Sequence, residues 1–209
     1  IRVVVLRGEG PGFCAGADLT EPMGSPISKQ LEEEYKPIFK KIVLGKKLYI
    51  SAVHGSAAGI GAALALVCDF MVMAASARIS LIFSNINLIP DGGLTWLLLN
   101  SAGRRKALEI IVEGKHISAD DCLQWGITNR MVDDEHLVLH TQEWATQLAL
   151  RAPLASSEAK KLLRMRDNHN YWQAFDDEGD SQDRLSQTKD FKNAVVAFLE
   201  KKKPIFEGK

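Results

Sequence analysis

Gly12-Phe13-Cys14-Ala15-Gly16-Ala17-Asp18-Leu19 and His54-Gly55-Ser56-Ala57-Ala58-Gly59-Ile60-Gly61 are the two stretches that decide how this chain folds. The first follows Arg2-Val3-Val4-Val5-Leu6-Arg7 and the second follows Leu48-Tyr49-Ile50-Ser51-Ala52-Val53. Both preceding runs are rich in β-branched and aromatic residues and predict strands. Turns so rich in Gly and Ala let a ligand approach the backbone closely, because no side chain stands in the way. Two such turns can aim two peptide N–H groups at one oxygen, which is how an oxyanion hole is built.

Working outward, residues 28–44 carry a helical pattern with Leu31, Tyr35, Ile38, Phe39 and Ile42 inward and Glu32, Glu33 and Glu34 solvated. Pro37 is expected to break or kink that helix. Residues 59–67 are small and apolar all round, the mark of a helix buried on every side. Strands are expected at 70–74, 77–81 and 129–132. Pro90-Asp91-Gly92-Gly93 forms a turn feeding an apolar helix at 94–99, and Ser118 opens a capping box whose helix ends near Gly126. From about Glu135 onward the periodicity is helical only. The expected plan is an α/β layered body over residues 1–132 and a helical region over 133–209.

The chain has 209 residues, enough for one large domain or a domain with a smaller appendage. Its 26 basic and 26 acidic residues cancel, so no whole-chain electrostatic case for nucleic acid or an anionic membrane follows. No apolar stretch reaches membrane-spanning length. Cys14, Cys68 and Cys122 fall in no Cys-x-x-Cys pattern, so reduced thiols in a cytoplasmic compartment are expected. The chain opens inside a strand, at Ile1-Arg2-Val3, from which an absent N-terminal portion is expected.

Gly55 to Gly61 also spells G-x-x-x-G-x-G, a weak dinucleotide-binding signal. It does not follow the first strand, as that fingerprint should. A short-chain dehydrogenase would also need a Tyr-x-x-x-Lys pair, yet Tyr35, Tyr49 and Tyr171 are followed four residues on by Phe39, Val53 and Phe175. His136 and His140 have the spacing of zinc ligands, but no further ligand pattern completes a site, and no metal is expected.

Taken together, residues 12–19, 53–69, 87–93, 114–133 and the closing 197–208 resemble the crotonase superfamily, the enoyl-CoA hydratase/isomerase family, in that family's own order. The resemblance implies a crotonase-like spiral of ββα units with a C-terminal helical trimerisation region, assembled as a homotrimer or dimer of trimers. It also implies an acyl-CoA thioester as substrate, with coenzyme A part of that substrate and no separate cofactor. G-x-A-A-G-x-G-A with P-D-G-G is most similar to the ring-isomerase branch of phenylacetate degradation.

Carried over by residue, the family's oxyanion donors fall on the backbone N–H groups of Ala17 and Ile60. Ala15, Gly16, Asp18, Leu19, Gly59, Ala63 and Phe83 are then expected around the acyl-CoA. Lys203 and Phe206 are expected to reach its nucleotide end, sometimes in a neighbouring subunit; a solvated terminal charge run is the alternative. The hydratases' two glutamates are replaced here by Ala63 and Phe83, neither of which can move a proton. Asp91 stands where some members keep a working aspartate, and a single carboxylate suffices for a 1,3-proton shift. The other job open to Asp91 is to cap the following helix. Three functions stay open: an isomerase using Asp91, a hydratase with an unrecognised base, and a non-catalytic acyl-CoA-binding subunit.

Overall fold

The computed structural model describes residues 1–18, 30–83, 88–165, 188–200, 202 and 204–209. Strands β1 (Val3–Arg7), β2 (Leu48–Val53), β4 (Phe70–Ala74) and β7 (Arg130–Val132) form a parallel sheet in the order β1-β2-β4-β7. Within it Val5 pairs with Ile50, Ala52 with Val72, and Met73 with Met131. The central strands are covered on both faces, so they read as continuous apolar runs: Ile50, Ala52, Val53, Val72, Met73 and Ala74 are all buried. A second, three-stranded sheet joins β3 (Ser56–Ala58), β5 (Arg78–Ser80) and β6 (His116–Ser118). There β3 runs parallel to β5, and β6 antiparallel to it.

The helices follow in chain order: α1 (Lys36–Leu44), α2 (Ile60–Leu66), α3 (Leu94–Glu113), α4 (Ala119–Gln124), α5 (Leu137–Ala149), α6 (Pro153–Met165) and α7 (Lys189–Leu199). As its composition predicts, α2 buries Ile60, Gly61, Ala62, Ala63 and Ala65. Ser118 caps α4, its Oγ accepting the Asp121 N–H at 3.1 Å. Among the described residues no helix is long and apolar enough to cross a membrane.

Three expectations need correction. Ile38 is 52% exposed, not inward. A wide π-turn over Leu31–Tyr35 precedes α1, and the extra residue in that turn advances the helical phase, leaving Phe39 half-buried and Ile42 buried. Pro37 does not break the helix. It occupies the first turn of α1, where its missing N–H and fixed φ are tolerated. The helix after the Pro90 turn runs on to Glu113, kinked at Gly103, whose φ of +74° is non-helical.

Helix α5 lies against β1, β2 and β4, and its Trp144 meets Phe70 of β4 in a tilted ring contact at 5.1 Å. The Arg130 guanidinium covers that indole at 3.8 Å.

Candidate active site

The parallel sheet positions the site. Strands β1 and β2 run side by side, so the segments leaving their C-terminal ends emerge together. Phe13 N–H donates to the His54 carbonyl at 3.0 Å, Cys14 N–H to Ser56 at 3.2 Å, and Ala58 N–H to Cys14 at 2.8 Å. Cys14 and Ala57 form a parallel bridge. The two turns are therefore one laced unit. Glycine is required where they meet: a Cβ on Gly16 (φ +94°) would stand 2.9 Å from the Ala58 carbonyl oxygen. A Cβ on Gly61 would fall 2.6 Å from the Cys14 Cβ, so Cys14 packs beneath the start of α2.

Gly59 sets the direction of the next peptide. Its φ of +54° and ψ of −129° are accessible to glycine and strained for other residues. Its own N–H is taken by the Ser80 carbonyl at 3.2 Å. Ile60 is the first residue of α2, so its N–H has no intrahelical acceptor. Among the described residues neither the Ile60 N–H nor the Ala17 N–H is donated to a protein acceptor.

Asp91 stands beside this pair of turns. The Pro90–Gly93 segment comes down on α2: a Cβ at Gly92 would lie 2.6 Å from the Ala63 Cβ, 2.8 Å from Ile60 Cδ1 and 3.4 Å from Phe39 Cζ. A side chain larger than alanine at position 63 would displace that turn. Among the described residues Asp91 Oδ1 is buried with no hydrogen-bond partner. Burial pushes its carboxyl above the ordinary aspartate range, offset in part by its own peptide N–H.

Nor is Asp91 a helix cap. Gly93, with φ +82°, occupies the cap position without any side-chain hydrogen bond, and Leu94 N–H bonds the Asp91 carbonyl rather than its carboxyl. A buried polar atom without a protein partner is uncommon, and a role in catalysis is one recognised reason for it. A carboxyl whose pKa burial raises is a better proton acceptor than an ordinary aspartate, and N–H groups without a protein acceptor can stabilise negative charge.

The other expected residues fall as follows. Ala15, Ala17 and Asp18 are exposed and Gly16 half-buried along the first turn. Ala63 and Phe83 are buried, and Phe83 Cζ would stand 3.9 Å from a Cβ on Gly59. Leu19 and Lys203 lie outside the described residues. Phe206 is not brought to the turns within one chain. The Arg2 guanidinium holds its carbonyl at the N-terminal end of β1, and Asp190 accepts from the N–H groups of Glu207 at 2.8 Å and Gly208 at 2.7 Å. The tail is thus fastened a strand's length, roughly 17 Å, from the turns.

Sequence patterns did not reveal Tyr35 as a neighbour of this site. Burial foremost, then the charges of Glu34, Asp91 and Cys14, holds its phenol above the usual range. Elsewhere, burial pushes the Cys68 and Cys122 thiols up to about 12, which keeps them protonated and unreactive. His140 pairs with Arg130 at 3.1 Å, and among the described residues no cluster of His, Cys, Asp or Glu could hold a metal ion.

The sequence model of the enoyl-CoA hydratase/isomerase family matches residues 1–209. The chain belongs to that family. It is 36% identical to a 1,2-epoxyphenylacetyl-CoA isomerase of Escherichia coli, across its whole length and 82% of that protein. It is 33% identical to a probable enoyl-CoA hydratase of Rhodobacter capsulatus, again over 100% of this chain and 82% of the relative. Among solved structures, an enoyl-CoA hydratase subunit I from Geobacillus kaustophilus superposes with a TM-score of 0.92 at 34% identity, covering 100% of this chain and 81% of that one. The fold is accordingly the crotonase fold, and the laced glycine turns beside Asp91 belong to an enoyl-CoA hydratase/isomerase family enzyme.

Proposed function

We propose that this enzyme moves a double bond, or opens a strained ring, in the acyl part of an acyl-CoA thioester, with Asp91 as the sole proton carrier. The N–H groups of Ala17 and Ile60 hold the thioester oxygen. The Asp91 carboxylate takes a proton from the carbon next to the carbonyl, and the electron pair passes to that oxygen as an enolate. The same carboxyl then returns the proton two carbons further on, and the carbonyl reforms with the double bond shifted. Each donor contributes about 10²–10³ in rate by stabilising the enolate oxygen. Coenzyme A enters as part of the substrate, so the step needs no separate cofactor.

The observation that carries this reading is the partnerless buried oxygen of Asp91 in a turn pressed onto Ile60 and Ala63. Hydration by two carboxyls would need acids at positions that here hold Ala63 and Phe83, both buried in the apolar core. The likeness to an epoxyphenylacetyl-CoA isomerase supports the ring-isomerase branch. Assay of 3-enoyl-CoA and ring-substituted acyl-CoA thioesters with wild type and Asp91→Asn tests it. The substitution lowers kcat by about 10²–10⁴ with little change in KM. Full turnover by the variant removes Asp91 from the mechanism. CoA-thioester binding with no turnover by the wild type favours the binding-subunit alternative.

A further inference from the structure

Ser80 is the point where all three strands of the smaller sheet meet. Its carbonyl accepts the Gly59 N–H at 3.2 Å, its Oγ lies 2.9 Å from Ser56 Oγ, and the same Oγ lies 2.8 Å from His116 Nδ1. The register explains the meeting: Ser80 pairs with Ala58 on one side and with His116 on the other. Ser80 is 2% exposed, so its hydroxyl has no bulk water to turn to, whereas His116 lies at the surface. The chain of hydrogen bonds therefore starts at the surface and ends on the backbone that aims Ile60.

This matters because Gly59 has no Cβ to restrict it, and a donor aimed at a developing oxyanion must be held to within about half an ångström. The Ser80 carbonyl fixes one side of the Gly59 peptide unit. What fixes Ser80 is its own side chain, tied to Ser56 upstream of that glycine and to His116 on the neighbouring strand. β5 has only three residues and gains much of its definition from such ties.

We infer that His116 and Ser80 are positioning residues for the Ile60 N–H, with His116 acting through the Ser80 hydroxyl and Ser80 through both hydroxyl and carbonyl. This rests on the proposed function, in which the Ile60 N–H holds the thioester oxygen. Neither residue touches substrate. Removing either side chain loosens the aim of the donor, which lowers kcat and leaves KM nearly unchanged.

The test uses butyryl-CoA carrying ¹³C at the thioester carbonyl, a ligand without a double bond to move, alongside turnover of 3-enoyl-CoA. On binding to the wild type its carbonyl infrared band moves to lower frequency. In Ser80→Ala and His116→Ala that movement shrinks at unchanged affinity, and kcat on 3-enoyl-CoA falls about three- to tenfold with KM within twofold. His116→Asn restores both readouts, because asparagine places a polar atom where the histidine Nδ1 stood. A band as far shifted in both alanine variants as in the wild type overturns the inference, even where their thermal midpoints fall, since a mere strand staple changes stability alone. No band movement in the wild type instead overturns the proposed function itself, and the positioning role with it.

Discussion

Two aspartates sit in turns at opposite ends of the same parallel sheet, and their surroundings could hardly differ more. Asp69, just before β4, is saturated: its Oδ2 accepts from Tyr49 N–H at 2.9 Å and Lys160 Nζ at 2.8 Å, and its Oδ1 faces Arg164 at 3.5 Å. Lys160 is equally satisfied, since its ammonium also donates to the carbonyls of Ile42 at 2.6 Å and Lys47 at 2.9 Å. Both side chains are under a tenth exposed. Asp91, at the other end, keeps a buried oxygen that no described residue partners. Where both oxygens are partnered, a carboxylate anchors structure, here the helix α6 against the body. Where one oxygen has no protein partner, the protein carries a cost that sites of function often carry.

The largest predicted effect breaks the saturated end. Lys160→Met leaves Asp69 buried without its main partner and lowers stability by about 3–5 kcal/mol, measured by urea denaturation. Turnover per folded molecule stays near wild type. A loss under about 1 kcal/mol means that this network is not the anchor of α6.

Next comes a paired glycine experiment. Gly59→Ala strains the turn and misdirects Ile60, so kcat falls about 10²–10³. Gly103→Ala imposes the same kind of backbone penalty in open space at the kink of α3, and costs stability only. Equal kcat values for the two variants would remove the special role of the Gly59 peptide.

A smaller effect appears in the pH profile. Because burial raises the Asp91 pKa, a base that must be ionised loses activity on the acid side at higher pH than an ordinary aspartate would. Stability moves in the opposite sense. The folded form favours the neutral carboxyl, so its contribution is full at low pH and declines as pH rises through the folded pKa. Asp91→Asn removes that decline. An acid limb in the ordinary aspartate range would argue against the buried carboxyl as the base.

How much of this was legible beforehand depended on whether the cause was local. β2 and β4 were plain because strands covered on both faces are continuous apolar runs, and β1 because its β-branched run reads as a strand even half-buried. β3 was not, because Ser56-Ala57-Ala58 becomes a strand only by pairing with Arg78–Ser80 and by its bridge to Cys14, contacts that no local pattern encodes. The Ser80–His116 tie was hidden for the same reason. Ile38 was misplaced because a wider turn upstream changes the helical phase without changing composition. For Asp91 the sequence left two roles open; Leu94 N–H bonds the Asp91 carbonyl and no side chain caps the helix, which speaks against the cap. The fastening of the tail by Arg2 and Asp190, which holds Phe206 beside the start of β1, was also invisible, because Arg2 and Phe206 stand 204 positions apart.

The central claim is that one carboxyl at the unsaturated end carries a proton between two carbons and that water takes no part. Incubating the wild type with 3-enoyl-CoA in ¹⁸O-labelled water, then weighing the acyl product by mass spectrometry, tests it most directly. The account predicts the shifted 2-enoyl-CoA with no ¹⁸O in the acyl chain. A 3-hydroxyacyl product carrying the label at turnover rate would contradict it.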